Sequence, residues 1–591
     1  MGFTPDSVST GARRLQRKTT GNRLAPLRSW PELRIIGLRD KPDLLWQDSA
    51  QTFQRPAAEH RKAADVQLSD HDLRQLDDAY LESLSEEQAR ALLSKALADL
   101  KTARERLGQN PSNSSRPPST RAPWEQGDED ERATGREAQS PPSGEDETDT
   151  EPDSSSDEDS PAKKRRGTSR AASAKAGKPG RRKGAPGHSR TQQLPIDAEV
   201  PHAPECCAGC AAALGESHQS RAHNARYEIE LIRPGAGGNG LVVQQTKHLY
   251  FERLCACGHW TRAEPGRCAE DARWTVALSE WHLAGPTLVS FICALSLRMR
   301  LSRARVREFL SDWLGLSLST AVINQCVHEA ARAVEPVVEH EILEAVRNVE
   351  LLHADETAWK EHGKLLWLWV FTCTTATLFI VGRRTRAMVC GVLGEHFDNW
   401  LMSDGYSVYR DFDQRLRCLA HIIRKAHGLE DSFDQPAQRF GSHVLGVIET
   451  IIEGVYAARG GAPPAEDLRA HYAPLLEELF DACRRTADSA HEPTRALARE
   501  LLNDWDTFWV VLDYPEFPLT NNEAERALRH WVIARRIGMG TRTPQGTRAF
   551  ALLASVIETC RKRSASPWSY LADAVRQRRK GLAAPSLPAA A

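Results

Sequence analysis

The chain has 591 residues, with 78 Lys and Arg against 79 Asp and Glu, a formal net charge of −1, 40% hydrophobic and 7% aromatic residues. That length leaves room for several domains, and the apolar fraction allows a sizeable core in part of the chain but not throughout it. No stretch approaches the roughly 18 apolar residues of a membrane span, and no basic start leads into an apolar leader, so a cytoplasmic protein with no membrane partner is expected.

Residues 1–65 show no clear periodicity and stay unassigned. Over 66–107 the pattern turns helical. Ser85-Glu86-Glu87-Gln88 reads as a capping box, and Leu93, Leu97, Leu100 and Leu107 then share one stripe at coiled-coil spacing. A helical hairpin packed on its own chain and a self-association surface both fit this stripe.

Residues 108–194 are rich in Ser, Pro, Gly and charge, acidic from Asp128 to Asp159 and basic from Lys163 to Lys183. Such a composition cannot bury enough apolar surface to fold alone, so a disordered linker is expected. Its Lys163-Lys164-Arg165-Arg166 run suits a tether to a DNA backbone, because cations that neutralise phosphates release counterions. A solvated linker with self-compensating charge is the plainer alternative.

Over 195–265, Cys207 and Cys210 precede a strand-like stretch, Leu241 to Phe251, that leads to Cys255 and Cys257. The chain has 13 Cys at irregular spacing, which suits a metal site better than a disulfide framework. Four thiolates around Zn²⁺ would hold together a module too small for its own core, so a zinc-ribbon-like module is expected. Its second pair is one residue short of the usual spacing, and Cys206 and His259 are alternative ligands. Residues 266–345 read as helical and apolar, with Ser302 and Ser319 placed to cap helices in a helix–turn–helix-like arrangement.

The most informative region is 346–565. Val349 to Asp355 reads as a buried strand ending on a carboxylate. Lys364–Thr374 and Ala376–Gly382 supply two more strands, 385–395 a helix, and Trp400 to Asp404 a fourth strand that also ends on an acid. Arg415 to Ala420 offers a fifth. Three strands in a meander, then helix, strand, helix and strand, is the order of an RNase H-like domain. There the first and fourth strands are neighbours, so Asp355 and Asp404 would meet. Residues 431–517 read as a helical insertion. Beyond it, Thr520-Asn521-Asn522 opens a helix on which Glu525 shares a face with Asn522 and Arg529. Glu523, on another face, is the alternative third acid. Three such carboxylates suit two Mg²⁺ or Mn²⁺ ions that stabilise the attacking and leaving oxygens of an in-line phosphodiester displacement. Arg526, Arg529, Arg535 and Arg536, with Arg542 and Arg548, are candidate phosphate contacts beside the acids. Cys418 and His421 have the spacing of two metal ligands without an evident second pair, and a structural role is expected for them.

Several strings resemble the insertion-sequence-66 family of bacterial transposases. They are Ala354-Asp355-Glu356-Thr357, Ser403-Asp404-Gly405-Tyr406, Cys418 to His421 with Arg424-Lys425, Thr520-Asn521-Asn522 with Glu525-Arg526, and Ser555 to Thr559. Asn113 to Ser119 and Gly184 to His188 match that family's linker words. The resemblance implies a catalytic triad of Asp355, Asp404 and Glu525 with Mg²⁺ as working metal. Its substrates would be double-stranded element ends and target DNA, its products cut and joined strands. It also implies self-association on DNA, helper proteins from the same element and a place on the nucleoid. A catalytically silent DNA-binding descendant and an RNase H-like nuclease without strand transfer are the alternatives. The expected architecture is thus multidomain α/β. An RNase H-like catalytic domain, a mixed sheet flanked by helices, follows helical segments, a charged linker and a zinc-ribbon-like module, and 566–591 form a C-terminal tail.

Overall fold

The computed structural model describes residues 80–81, 83–109, 113, 195–232, 240–460 and 467–590, all within one compact unit, Pro56–Ala591. Residues 1–65 and most of the charged linker, Lys163 to Arg166 included, lie outside the described residues.

Helix α1 (Glu86–Gly108) begins at the expected capping box. Ser85 Oγ accepts from Gln88 N at 3.3 Å, and Gln88 Oε1 accepts from Ser85 N at 3.0 Å. Among the described residues the leucine stripe is exposed, Leu93, Leu97, Leu100 and Leu107 being 61%, 48%, 51% and 86% exposed, while the segment that would pair with it in a hairpin, residues 68–79, lies outside the described residues. Contact with the body runs instead through Glu105, whose carboxylate accepts from Ser432 Oγ at 2.7 Å and Phe433 N at 3.0 Å.

Two mixed sheets follow. In the first, β1 (Ala198–His202) and β4 (Trp260–Arg262) share one edge of β3 (Val242–Leu254), and β2 (Ser220–Ile232) lies antiparallel along the other. The β2–β3 hairpin separates the two cysteine pairs. Buried and more exposed residues alternate over Glu228 to Ile232 of β2, as expected of a strand with one wet face, whereas β3 is half-buried along most of its length. Helices α2 (Pro286–Cys293), α3 (Arg303–Leu314) and α4 (Thr320–Val337) come next. Ser302 and Ser319 cap α3 and α4 by accepting from Arg305 N and Val322 N.

The second sheet has five strands, β5 (Leu351–Glu361), β6 (Lys364–Thr372), β7 (Thr377–Gly382), β8 (Trp400–Ser403) and β9 (Arg415–Arg417), in the order β7-β6-β5-β8-β9. The first three pair antiparallel, while β8 and β9 run parallel to β5. Helix α5 (Arg386–Leu393) joins β7 to β8. Strands β6 and β7 read as nearly unbroken apolar runs because both faces are covered.

Helices α6 (Leu419–Glu430), α7 (Gln435–Gly460), α8 (Leu468–Thr486) and α9 (Glu492–Asn503) precede α10 (Asn522–Gly538). The segment expected as an insertion is helical and does not stand apart. Val444, Ile448, Leu479, Leu497 and Trp509 join Met402, Leu416 and Ile422 of the sheet region in one buried cluster.

Helix α11 (Pro544–Lys562) lies along β7, which would otherwise be a bare sheet edge. Ser555 Oγ accepts from Phe379 N at 2.8 Å, and Thr559 Oγ1 accepts from Thr377 N at 3.0 Å. The segment expected as a tail carries α12 (Pro567–Arg579), packed against α2 and α4. Its Arg579 is buried and donates to both oxygens of buried Glu329.

Ser555, Thr559, Phe379 and Thr377 are all buried. Replacing Ser555 by Ala therefore strands a strand-edge N–H away from water, and a loss of about 1–3 kcal/mol is expected. The midpoint of urea unfolding measures it, and an unchanged midpoint would mean that water reaches this edge.

Candidate active site

The sheet places the first two acids. The parallel pairing of β5 and β8 matches Leu351 with Trp400, Leu352 with Leu401 and His353 with Met402. Continued two residues further, that register sets Asp355 level with Asp404. Strand β5 does not end at Asp355, as expected from the sequence; it continues to Glu361 because β6 pairs with it throughout. What ends near the acid is the partner on the other side, since β8 stops at Ser403. Asp355 therefore sits where a strand loses one neighbour.

Both carboxylates are oriented by backbone donors. Asp355 Oδ1 accepts from Glu356 N at 2.8 Å, and Asp404 Oδ1 accepts from Tyr406 N at 3.0 Å. Burial pushes the Asp355 carboxyl well above its ordinary range, with Asp404, Glu356 and Glu525 adding to the effect. The adjacent Glu356 is also raised, to about 7, by burial and then by Asp404. Hydrogen bonds from Arg384 and from Tyr409 Oη at 2.8 Å work against that rise. Nothing in the sequence singles out Glu356, Arg384 or Tyr409 beyond the hint of an acid next to an acid.

The third acid arrives on α10. Asn521 stands at its N-cap but does not cap it. Its side chain is buried and turned toward β5, where Nδ2 donates to Ala354 O at 2.8 Å and Oδ1 lies 3.0 Å from His353 Nδ1. Its backbone N–H donates to Cys418 Sγ at 3.2 Å. One residue thus ties the start of α10 to the strand position before Asp355 and to the start of α6.

Glu525 lies 3.6 Å from Arg424 and 4.0 Å from His421, both on α6. Cys418, His421 and Glu525 bring ligand atoms within 4.8 Å of one another. Asp355, Asp404 and Glu525 do not form such a group, since Arg424 and His421 hold Glu525 on the α6 side. Glu523 points toward α11, where Lys562 Nζ pairs with it. The structural role expected for Cys418 fits its bond from Asn521, whereas the nearness of His421 to Glu525 was not legible in the sequence.

The expected phosphate contacts divide. Arg526, Arg529 and Arg536 are exposed on α10. Arg535 is half-buried and donates to Thr357 Oγ1 at 3.0 Å and to Ala358 O, so it anchors the outer part of β5. Arg548 corrects the sequence reading: it is neither a phosphate contact nor a solvated residue. It is 6% exposed and paired with Glu335 and Glu339, which fixes α11 to α4 and the segment after it.

In the first sheet, Cys207, Cys210, Cys255 and Cys257 form the second group with ligand atoms within 4.8 Å. Cys207 Sγ is 3.7 Å from Cys257 Sγ, and Cys210 Sγ is 3.5 Å from Cys255 Sγ. Burial opposes ionisation of Cys207, yet backbone donors at Cys210 and Gly209 bring its thiol down to about 6. Cys206 and His259 are not part of this group. Among the described residues, no helix is long and apolar enough to cross a membrane.

Residues 282–549, a little under half of the chain, match the model of the family described as Transposase IS66 family. The resemblance read in the sequence is borne out over that span, which contains Asp355, Asp404 and Glu525. Similarity to this family supports a function of transposase type. The uncharacterized protein y4jO of Sinorhizobium fredii is 33% identical over 85 residues, which cover 14% of this chain and 26% of that protein. The chain therefore spans about a quarter of that relative.

Asn521→Ala would leave the Ala354 carbonyl and a His353 ring nitrogen without their partner in a buried place. A loss of about 2–4 kcal/mol is expected from two such vacancies, measurable by chemical denaturation. A loss below ~0.5 kcal/mol would show that Asn521 does not hold α10 to β5.

Proposed function

We propose that the chain is a metal-dependent DNA transposase. Its residues 346–565 would form an RNase H-like catalytic domain, with Asp355, Asp404 and Glu525 as the reacting site. The carrying observation is the parallel register of β5 and β8, which, continued past its last pair, His353 with Met402, brings Asp355 level with Asp404 just after β8, with Asp404 and Glu525 both near enough to raise the Asp355 carboxyl. The strand order, an antiparallel trio followed by two parallel strands on the β5 side, supports the fold assignment. The remaining organisation follows the sequence reading: zinc-binding module 195–265, helical domain 266–345 and insertion about 431–517.

The donor set fits a hard divalent cation. Its donors are carboxylate oxygens, and burial together with like charge from Asp404 raises the Asp355 carboxyl, a cost that a bound cation would offset. Asp355, Asp404 and Glu525 would be the residues that hold the divalent metal. Bound Mg²⁺ would stabilise charge on the attacking and leaving oxygens. The chain's own residues do the rest. Backbone N–H groups of Glu356 and Tyr406 orient the two aspartates, while exposed Arg526, Arg529 and Arg536 hold phosphates of double-stranded DNA on the α10 side. In the first reaction a water oxygen bonds to phosphorus and the P–O3′ bond breaks, which leaves a 3′-hydroxyl and a 5′-phosphate. In the second, that 3′-oxygen bonds to a target phosphorus and a target P–O3′ bond breaks. The number of phosphodiester bonds is conserved in the second step, so no further energy source is needed.

For the other cluster we read four thiolates as a structural Zn²⁺ site that closes the ends of the β2–β3 hairpin. About one zinc per chain is expected by elemental mass spectrometry. Cys255→Ser and Cys257→Ser should each lower that content and the thermal midpoint; a zinc-free intact protein of unchanged stability would end this assignment.

Labelled DNA from the ends flanking the coding sequence, incubated with Mg²⁺ and a target plasmid, tests the catalytic reading. Asp355→Asn, Asp404→Asn and Glu525→Gln should each reduce cleavage and joining to background while the protein stays folded. Glu523→Gln should keep both. Full activity in the Glu525 variant with loss in the Glu523 variant would transfer the third role to Glu523. Cut ends that never join to target would make the protein a nuclease.

A further inference from the structure

Beside Asp404 a cavity of roughly 450 Å³ opens between the second sheet and the insertion. Its wall carries four cations, Arg384, Arg410, Lys425 and Arg499, against two acids, Asp404 and Glu500. The same imbalance continues behind the wall. Asp504 lies 3.5 Å from Arg410 and 3.3 Å from Arg415, and also pairs with Arg417. Glu500 pairs with Arg417 at 2.6 Å and with Lys425. Two carboxylates thus serve four cations, of which Arg415 and Arg417 are buried, and the Nε of each has no acceptor. Arg384 and Arg499 have acidic partners of their own in Glu356 and Asp488, yet Arg410 and Arg499 stay exposed at the cavity, where a phosphate can reach their guanidinium groups.

The shape says which anion. Asp404 closes one side of the cavity, so an occupant lies directly beside the carboxylates. The space suits a stretch of single strand and not a duplex, whose major groove alone is ~12 Å wide. At the rim the Arg384 guanidinium lies between two rings, 4.2 Å from the Trp367 centroid and 3.8 Å from that of Tyr406, which fixes a planar cationic surface at the entrance.

We propose that this cavity binds the phosphodiester backbone of a single DNA strand separated from the duplex next to the cut, through Arg410, Lys425 and Arg499. The inference rests on the reading of Asp404 as part of the reacting site. The insertion then holds the strand that leaves the duplex, while α10 holds the duplex itself.

Binding is measured without added divalent metal, so that no chemistry is required. Fluorescence anisotropy of a labelled oligothymidine strand about 20 nucleotides long, and of a duplex of equal length, is followed across a salt series with the full chain. Arg410→Ala/Arg499→Ala should weaken single-strand binding about tenfold and lower its log K against log salt slope by roughly 1.4, ~0.7 per lost phosphate contact. Duplex affinity should change little, and Arg410→Lys/Arg499→Lys should keep most of the single-strand affinity. An unchanged slope in the alanine pair, an equal loss in the lysine pair, or no single-strand binding by the intact chain would each overturn the proposal. Binding is read here without metal and cleavage with it, so a failed catalytic reading and a failed cavity assignment give different results.

Discussion

Carboxylates gathered in one partly buried place resist assembly. Two like charges ~5 Å apart at an effective dielectric of ~20 repel by about 3 kcal/mol, and burial adds to that cost, as the raised Asp355 and Glu356 carboxyls register. Much of the surrounding structure is explained by what must be in place to hold such a group. Asp355 lies on β5 and Asp404 directly follows β8, and the ladder between these strands, Leu351 to His353 against Trp400 to Met402, holds the two positions near each other. Glu525 sits on a helix whose N-cap residue, Asn521, is tied to the strand by its buried amide. Arg424 offers Glu525 a nearby cation, which keeps the helix carboxylate settled until something more highly charged competes for it.

The insertion serves the same constraint from the other side. Its Glu500 and Asp504 reach back to Arg415 and Arg417 on β9, the edge strand next to Asp404's own. Buried ion pairs of this kind are weak evidence for added stability, but their directional bonds fix how two pieces meet. Gly405 shows how closely they meet: a Cβ there would lie 2.8 Å from Arg417 Nη2 and 2.9 Å from Glu500 Oε1. The residue after Asp404 is glycine because the pair linking insertion to sheet passes over it.

How much of this the sequence reveals depends on where the information is stored. Alternating or unbroken apolar runs give β5 to β8, and side-chain capping gives the starts of α1, α3 and α4, because those signals are local. Asp355 and Asp404 are legible as strand-associated acids, and their neighbouring strands follow from the strand order. The work of Asn521 is not legible: as a residue before a helix it reads as a cap, and only the packed structure turns its amide toward Ala354 and His353. Arg535 and Arg548 look alike in sequence to the exposed arginines of α10. They differ because tertiary packing buries them against Ala358 and Glu335, and no periodicity carries that. The structured helix at 567–579 escapes a reading that stops once the catalytic words run out.

The C-terminal helices also decide where the folding unit ends. The span similar to the transposase family stops at residue 549, within the first part of α11. The two side chains that satisfy the free edge of β7 are Ser555 and Thr559, beyond that limit. Lys562, which holds Glu523 away from Glu525, lies further along the same helix. Arg579, on the next helix, closes a buried pair with Glu329 and lies 3.6 Å from Glu228 on β2. A chain cut at the end of the matched span would keep all three acids, yet it would expose a sheet edge and leave Glu329 buried without its cation. The first sheet, the helical segment and the five-stranded sheet are joined through this C-terminal pair of helices, so the geometry around the three acids is a property of the whole described body and not of the matched span alone.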